Sequence, residues 1–267
     1  MKLLVSRYLK LWLAFFRNTL SRDMEFKFDF ILELFIDAIY YGSLFFYFNV
    51  IFSIHSTFGE FGRDEIIIFL ILLYLVDSIY NLFLGGNTFS INEKVKSGDL
   101  DFILIRPVNP QFFLSFRYVN TPMFISITIL GILLFRLVLQ YHDGNIEIIK
   151  YLLCMVSMVM GIIIFYSFEF IIACFVFWFR NFSYAGWLSG ELIKYSRKPD
   201  SIYKVYFRRI LFSFFPMAMI VSVPTRMLLF ETDYFLLFMQ CIVSIMFFCL
   251  SRLTWKQGLK LYESASS

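Results

Sequence analysis

The sequence has little charge. Only 16% of its 267 residues are Asp, Glu, Lys or Arg, while 60% are hydrophobic and 21% aromatic; soluble domains usually carry about 25% charge. A soluble fold of this length cannot bury so much apolar surface, so lipid must be the solvent for most of the chain. The apolar runs are long and unbroken, unlike the alternating strands of a membrane barrel. The composition therefore predicts an all-α integral membrane protein.

Residues with reactive or metal-binding chemistry are also scarce. The two histidines, His55 and His142, fall in predicted outer loops, and the four cysteines lie in apolar runs without a C-x-x-C pair. The sequence has neither an H-E-x-x-H motif nor a phosphate-binding G-x-x-x-x-G-K-[ST] loop. An intramembrane enzyme needs a nucleophile, a base or metal ligands in its spans. We therefore predict no catalytic residue, metal site or disulfide, and nothing in the sequence indicates a nucleic-acid partner.

Six apolar segments approach or exceed the ~20 residues that a helix needs to cross a bilayer. They are Phe28–Phe52, Ile66–Leu84, Phe112–Leu139, Ile149–Phe179, about Tyr206–Val223, and Tyr234–Leu250. The fifth is ambiguous because Pro216 lies inside it and Pro224 follows it. Either this span begins within the basic stretch before it, or residues 224–230 form a short re-entrant piece in the outer leaflet.

Residues 1–23 have a different pattern, in which basic and apolar residues alternate irregularly. Their longest apolar run, Leu11–Phe16, has only six residues, whereas a secretory signal needs about 7–15. An amphipathic helix lying in the membrane interface fits this pattern. The alternative is the ragged start of the first span.

The distribution of basic residues predicts the orientation. Four segments, 1–27, 85–117, 180–209 and 251–267, hold 20 of the 24 Lys and Arg residues. Cytoplasmic loops carry such an excess. We therefore expect one membrane domain, residues 1–267, that crosses six times and has both termini in the cytoplasm.

A polar segment, residues 85–111, separates the second and third spans. Connections between helices commonly take 2–8 residues, and this one has about 27. Its length favours a docking element over the alternative, an ordinary polar hairpin between spans.

Local signals predict structure within the polar segment. Ser90 followed by Glu93 is typical of a capping box, and Gly98 can supply the left-handed residue that ends a helix. We therefore predict a helix of about two turns over Ile91–Ser97. Two later prolines block a continuous helix, so the third span is expected to restart after Pro110.

The same segment carries a family resemblance. The run from Glu93 to Val108 reads as a charged helix, a glycine, an acidic pair around Leu100, an apolar stretch and Arg-Pro. It resembles the polar segment of the ABC-2-type permeases, in particular the daunorubicin-resistance-like export permeases of bacteria. The tail from Trp255 to Ala265 and the prolines around the fifth span are similar to that family as well. In this family, short re-entrant helices lie between spans five and six.

The resemblance implies the permease subunit of an ATP-binding-cassette exporter in the bacterial cytoplasmic membrane. Such a subunit is not an enzyme and holds no cofactor itself. It pairs with a second permease, identical or paralogous, and contacts membrane lipid, while two cytoplasmic ATPase subunits bind the ATP and Mg²⁺. The polar segment would be the coupling element that contacts the ATPase. The implied coupling residues are Asn92, Glu93, Lys94, Lys96, Gly98, Asp99, Asp101, Arg106 and Pro107.

Charged side chains inside membrane spans are costly and are therefore candidates for function. Asp37, Asp77 and Glu169 are candidates for a translocation path, although helix packing explains each of them as readily. A non-transporting scaffold or regulatory subunit is the alternative function. The sequence does not indicate the substrate.

Overall fold

The computed structural model describes residues 2–54, 56–143, 147–179, 182 and 184–262, with side chains from Ser6 onward. Within these ranges the chain is helical, apart from loops and an isolated bridge between Phe58 and Phe61. The helices are α1 (Lys2–Glu25), α2 (Lys27–Ile54), α3 (Arg63–Phe83), α4 (Ser90–Ser97), α5 (Asp99–Leu104), α6 (Pro110–Phe116), α7 (Met123–Tyr141), α8 (Ile148–Cys174), α9 (Val176–Phe179), α10 (Ala185–Ile193), α11 (Val205–Ser213), α12 (Ala218–Leu229) and α13 (Tyr234–Leu261). Two 3₁₀ turns follow α10, at Lys194–Arg197 and Asp200–Ile202. The predicted all-α fold is confirmed.

Five stretches of the described chain are long and apolar enough to cross a membrane: α2, α3, α7, α8 with α9, and α13. Helices α11 and α12 pass the same test only as a pair, and they are bent by 100° at the break between them. The protein is therefore a multi-pass membrane protein with five or six candidate spans. The first, second, fourth and sixth predicted spans coincide with four of these helices.

Helix α3 lies at the centre of the bundle. Every side chain from Ile68 to Val76 is buried, because α2, α7, α8 and α12 all pack against this helix. A helix that is apolar on all sides suits such a buried position. Around it, α8 packs along α12 so closely that a Cβ on Gly161 would lie 2.6 Å from the Ile220 carbonyl oxygen. Glycine is therefore required at that crossing.

The direction of α3 defines two ends of the bundle. Near its start, Tyr141 Oη donates a hydrogen bond to Glu65 Oε1 over 2.7 Å. Near its end, the Asn120 amide donates to the Leu82 carbonyl oxygen over 3.2 Å. Helix α7 therefore runs antiparallel to α3. We call the end where α3 begins the Glu60 end, and the end where α3 stops and the polar segment follows the polar end.

The third predicted span, Phe112–Leu139, is wrong as one continuous helix. Residues 117–122 separate α6 from α7. Pro122 has no amide hydrogen with which to extend a helix from the preceding turn. The buried Asn87 side chain holds the intervening backbone, donating to the Tyr118 carbonyl oxygen over 2.8 Å and accepting from the Tyr118 amide over 2.9 Å. The long apolar helix of this region is α7 alone.

The fifth predicted span, Tyr206–Val223, is wrong as a straight helix. Arg208, in α11, and Arg226, near the end of α12, both form ion pairs with Asp200 and Glu60. The start of α11 and the end of α12 therefore meet at the Glu60 end, and the bent pair is a re-entrant hairpin. The re-entrant alternative is closer to the structure, and the re-entrant piece is longer than expected.

Residues 185–203 connect the two ends of the bundle instead. The Phe89 ring at the polar end lies 3.2 Å from where a Cβ on Gly186 would stand. At the other end, Ser201 Oγ accepts a hydrogen bond from the Glu60 amide over 3.1 Å. This segment, built from α10 and the two 3₁₀ turns, therefore runs the length of α3. Basic residues interrupt its apolar ones, which is why its sequence resembles a loop.

This course of the chain changes the charge distribution. Segment 180–209 is predicted to be cytoplasmic throughout, but residues 185–209 run from the polar end to the Glu60 end. Arg208 ends up at the Glu60 end, where its guanidinium binds Asp200. The difference in basic residues between the two ends is therefore smaller than the sequence predicts.

Helix α1 lies across the polar end. Trp12 packs on Phe83, the last residue of α3, with ring centroids 5.6 Å apart. Thr121 Oγ1, in the break before α7, donates to Asp23 Oδ2 over 2.6 Å. The amphipathic N-terminal region is thus a helix of its own that ends before Phe26, rather than the ragged start of the first span.

Candidate functional site

The polar segment starts from a buried turn. Asn87 and Thr88 are almost fully buried, and α4 begins at Ser90, one residue earlier than predicted. The predicted capping box is wrong, because Ser90 is already inside the helix and its hydroxyl donates to the Asn87 carbonyl oxygen over 2.7 Å. The N-cap position is taken by Phe89, which has no side chain that can cap.

The predicted helix stop is confirmed. Gly98 ends α4 with a φ of 79°, in the left-handed region where a side chain would be strained. Before this stop, Ile91 is fully buried and Val95 packs against the core, so one face of α4 rests on the bundle. The contacts are made with α8 and α9.

Helix α5 follows directly and was not predicted. Leu100 and Ile103, three residues apart, are buried on one face. Asp99 and Asp101 lie in its first turn, where the helix dipole stabilises negatively charged carboxylates. The later prolines permit this helix because it ends at Leu104. The spacing of the apolar residues was the signal that could have indicated it.

The outward face of the polar segment combines charges with exposed apolar side chains. Phe102 is 65% exposed and Ile105 is 79% exposed. The Arg106 guanidinium lies 4.7 Å from the centre of the Phe113 ring, and its Nε donates to the Phe102 carbonyl oxygen over 3.1 Å. The remaining exposed coupling residues are Glu93, Lys96, Asp99 and Pro107. We call the outward face formed by these seven side chains the exposed surface.

The other predicted coupling residues point less fully outward. Burial lowers the pKa of Lys94, whose ammonium lies 5.9 Å from the centre of the Tyr118 ring. The pKa of Tyr262 is raised to about 12, mainly by burial and to a smaller extent by the nearby Asp101 carboxylate. Asp101 therefore contributes to the contact between the polar segment and the end of α13. Asn92 is half-buried in α4.

Helix α1 holds the exit of the polar segment. Arg7 Nη2 donates to the Pro107 carbonyl oxygen over 2.6 Å. The Asn109 amide donates to Tyr8 Oη over 3.2 Å, and the Tyr8 ring packs edge-on against Phe112 with centroids 4.7 Å apart. The segment is therefore fixed at its entrance by Asn87 and at its exit by α1.

Comparison with protein families decides what this architecture is. A family model described as ABC-2 family transporter protein matches residues 38–266, which include the polar segment. The chain belongs to the ABC-2 family of transporter proteins. No curated protein matches the sequence. Members of the ABC-2 family are typically non-catalytic permeases, and among the described residues of this ABC-2 protein no group of three or more His, Cys, Asp or Glu could hold a metal ion.

Glu169, one of the three predicted path carboxylates of this ABC-2 protein, is buried and hydrogen-bonded. It accepts hydrogen bonds from Tyr80 Oη and from Thr88 Oγ1, the latter over 3.2 Å. The Tyr80 ring in turn stacks on Phe165 with centroids 3.9 Å apart. Glu169 therefore connects α8 with α3 and with the turn that starts the polar segment.

Asp37 and Asp77 are brought together with a basic residue that the sequence assigned to a loop. Their carboxylates lie close enough to interact electrostatically, and Asp77 also faces Arg197. The Arg197 guanidinium lies 5.4 Å from the centre of the Tyr40 ring, on α2. Sequence reasoning missed Arg197 because residues 180–209 read as one basic cytoplasmic segment.

A second charged cluster occupies the Glu60 end of this ABC-2 protein. Asp200 is fully buried and receives Arg208 over 2.5 Å and Arg226 over 3.1 Å. Arg226 also binds Glu60 over 2.7 Å, and this hydrogen bond lowers the pKa of Glu60. The cluster joins the α2–α3 loop, the end of the 185–203 segment and both helices of the re-entrant hairpin.

Proposed function

We propose that this ABC-2 protein is the permease subunit of an ATP-driven exporter, in the subfamily that resembles the daunorubicin-resistance-like permeases. Two separate ATPase subunits would bind ATP and Mg²⁺ and dock on the exposed surface of the polar segment. A second permease chain, identical or paralogous, would complete the membrane part. The polar end would face the cytoplasm of a bacterial cell, with both termini on that side.

The exposed surface is the observation that supports this proposal. Phe102 and Ile105 are large apolar side chains, and both extend from a folded segment that is otherwise charged on its outward face. Aromatic side chains, with arginine nearby, dominate the energy of protein–protein contacts. Their backbone is held in place by the buried Leu100 and Ile103. A preorganised surface of this kind loses little conformational entropy when a partner binds.

The anchoring contacts suggest how movement would be transmitted. Thr88, at the start of the polar segment, binds Glu169 of α8, and Ile91 packs into the same core. A displacement of the segment by the ATPase would therefore act on α8 and α3 together. ATP binding can shift a two-state membrane domain only by its differential affinity for the two states. In this proposal the exposed surface is where that difference enters.

The orientation and the path are also part of the proposal. Helix α1, the polar segment and the end of α13 gather at the polar end with most of the basic residues that precede residue 180, and this supports a cytoplasmic polar end. Asp37 and Asp77, with Arg197 beside them, remain the candidates for a translocation path. Glu169 is a weaker candidate, because one of its carboxylate oxygens already accepts hydrogen bonds from Tyr80 and Thr88.

Co-purification with the ATPase, followed by ATPase and transport assays in proteoliposomes, tests the docking assignment. We expect Phe102→Ala to weaken the complex at least tenfold, as truncation of an interface anchor does, and Glu93→Lys to reduce stimulated ATPase activity and transport. Tyr234→Ala is a matched control, since Tyr234 is also 65% exposed but lies at the Glu60 end. Glu231→Lys controls for the charge reversal. Unchanged coupling in the Phe102 and Glu93 variants would refute the docking role.

A further inference from the structure

The bundle has several cavities, and one of them has an unusual lining. The cavity beneath α1 has a volume of about 770 Å³ and lies between α1, α6 and the cytoplasmic-side part of α13 in our proposed orientation. Most of its walls are apolar. The lining residues are Tyr8, Leu9, Trp12, Phe83, Asn109, Phe112, Phe116 and Arg252.

The polar groups in this lining are hydrogen-bond donors and one cation. Tyr8 Oη accepts from the Asn109 amide, so its own hydrogen is free to donate. The Asn109 side-chain oxygen accepts from the Phe112 amide as the cap of α6, which leaves the side-chain NH₂ for another partner. Among the described residues, no carboxylate lines the cavity. Its polar groups therefore match an acceptor and do not match a cation.

Arg252 supplies the positive charge. In the described part of the chain, its guanidinium makes one long hydrogen bond of 3.4 Å to Gln111 Oε1, lies 5.8 Å from the centre of the Phe248 ring, and has no ion pair. The side chain is also exposed rather than enclosed. The nearest comparison is Arg226, whose charge is matched by Asp200 and Glu60. Arg252 is thus a guanidinium whose charge the described residues leave uncompensated.

The shape of the cavity indicates an amphiphile. Phe83, Phe112 and Phe116 form an apolar wall next to the donors and the guanidinium. The roof is α1, an amphipathic helix of the kind that lies in the membrane interface. Basic pockets between membrane helices at the cytoplasmic surface bind anionic lipid headgroups.

We propose that this cavity is a binding site for an anionic phospholipid. The phosphate would accept hydrogen bonds from Arg252, Tyr8 and Asn109, and an acyl chain would lie on the phenylalanine wall. Because Tyr8 and Asn109 also hold the exit of the polar segment, a bound lipid would stabilise the contact between α1 and that segment. The binding step itself does not depend on the proposed ATPase partner, so it can fail or succeed independently of the proposed function.

Lipid binding by the purified full-length protein tests this proposal. Native mass spectrometry would measure retention of phosphatidylglycerol, phosphatidylcholine and diacylglycerol, with inorganic phosphate as a competitor. We expect phosphatidylglycerol to bind more tightly than the other two lipids, and Arg252→Gln to weaken its binding about tenfold, the loss of one charge-assisted hydrogen bond. Arg252→Lys should retain part of the affinity.

Two further variants make the test specific. Lys256 lies one helical turn further along α13 and does not line the cavity. Lys256→Gln therefore removes the same charge outside the cavity, and it should leave binding unchanged. Leu9→Trp should fill the cavity and exclude lipid without changing any charge, and Leu9 is 56% exposed, so the fold should tolerate it. Equal losses in the Arg252 and Lys256 glutamine variants would overturn the proposal. So would equal retention of the three lipids, or displacement by inorganic phosphate at the lipid's own concentration.

Discussion

The polar segment and the charged cluster at the Glu60 end bury opposite kinds of side chain. At the polar end, apolar side chains such as Ile91 and Leu100 point inward and charges such as Glu93 and Asp99 point outward. At the Glu60 end, the arrangement is reversed, because the carboxylate of Asp200 is fully buried and is compensated by two arginines.

The first arrangement leaves charged side chains on the surface, whereas the second uses them to hold elements of the fold together. An inward apolar face fixes α4 and α5 and leaves Glu93 on the outward side of the segment. A buried ion pair uses its charges internally, and it fixes the geometry of the elements that carry them. The Glu60 end therefore holds the re-entrant hairpin, while the polar end presents the exposed surface.

The largest expected effect comes from breaking the Glu60 end. Asp200→Ala would leave Arg208 and Arg226 facing each other without their buried carboxylate. Removal of one partner from a buried pair costs about 3–5 kcal/mol. Both arginines are partly exposed, so we expect the free energy of unfolding to fall by about 3 kcal/mol. Thermal unfolding in detergent should show a clearly lowered midpoint. A midpoint equal to that of the unmodified protein would mean that the cluster does not hold the hairpin.

Truncation of a buried side chain at the polar end should loosen the structure locally and should have a smaller effect on the global unfolding midpoint. Ile91→Ala removes a fully buried side chain that anchors α4, at a cost of about 2–4 kcal/mol. Because α4 is a surface helix, we expect faster tryptic cleavage at Lys94 and Lys96, with little change in the global midpoint. Phe102→Ala, which removes an exposed side chain, is the control and should leave cleavage unchanged. Equal cleavage of the two variants would contradict the anchoring role.

Close packing at the middle of the bundle gives an intermediate case between the two ends. Gly161→Ala places a Cβ 2.6 Å from the Ile220 carbonyl oxygen, and such overpacking costs about 1–3 kcal/mol. The matched control is Gly131→Ala in α7, where a Cβ would meet no atom within 4 Å. We expect the first variant to lower the unfolding midpoint and the second to leave it unchanged or raise it slightly. A similar response in both variants would show that α8 and α12 can separate freely.

The smallest effect is a pH dependence at the Glu60 end. The hydrogen bond from Arg226 lowers the pKa of Glu60 in the folded protein below its ordinary value of 4.5. A carboxyl group with a lowered pKa stabilises the fold above its unfolded pKa, and this contribution is lost as the pH falls through the folded value. The unfolding midpoint should therefore fall on acidification below about pH 4.5, and fall less steeply in Glu60→Gln. Parallel pH profiles for the two proteins would remove Glu60 from the ionic cluster.

Local signals in the sequence predicted part of this architecture well. The excess of apolar residues indicated the helical membrane fold, and Gly98 marked the end of α4 because its conformation is set by its own backbone. Of the polar segment, the sequence correctly predicted a helix that ends at Gly98, and the coupling role of its residues stays a prediction.

The features that were missed depend on contacts between distant residues. The 185–203 segment runs between the two ends of the bundle although it contains Arg197. The charge of Arg197 interacts with Asp77, and its guanidinium lies 5.4 Å from the centre of the Tyr40 ring, both on other helices. The hydropathy of the segment alone therefore reads as a loop. The break between α11 and α12 has a local signal in Pro216, but the meeting of the two helices at the Glu60 end involves Asp200, which lies outside both of them.

The side-chain amide of Asn87 constrains how the ends of the polar segment can move relative to each other. Its two hydrogen bonds to the backbone of Tyr118 bring together residues 31 positions apart, so the polar segment is closed into a ring. Closing a loop in advance removes the entropy that an open chain of that length would lose on ordering. The segment is therefore comparable to a cyclic peptide, because its entrance and its exit cannot separate without breaking the two Asn87 hydrogen bonds.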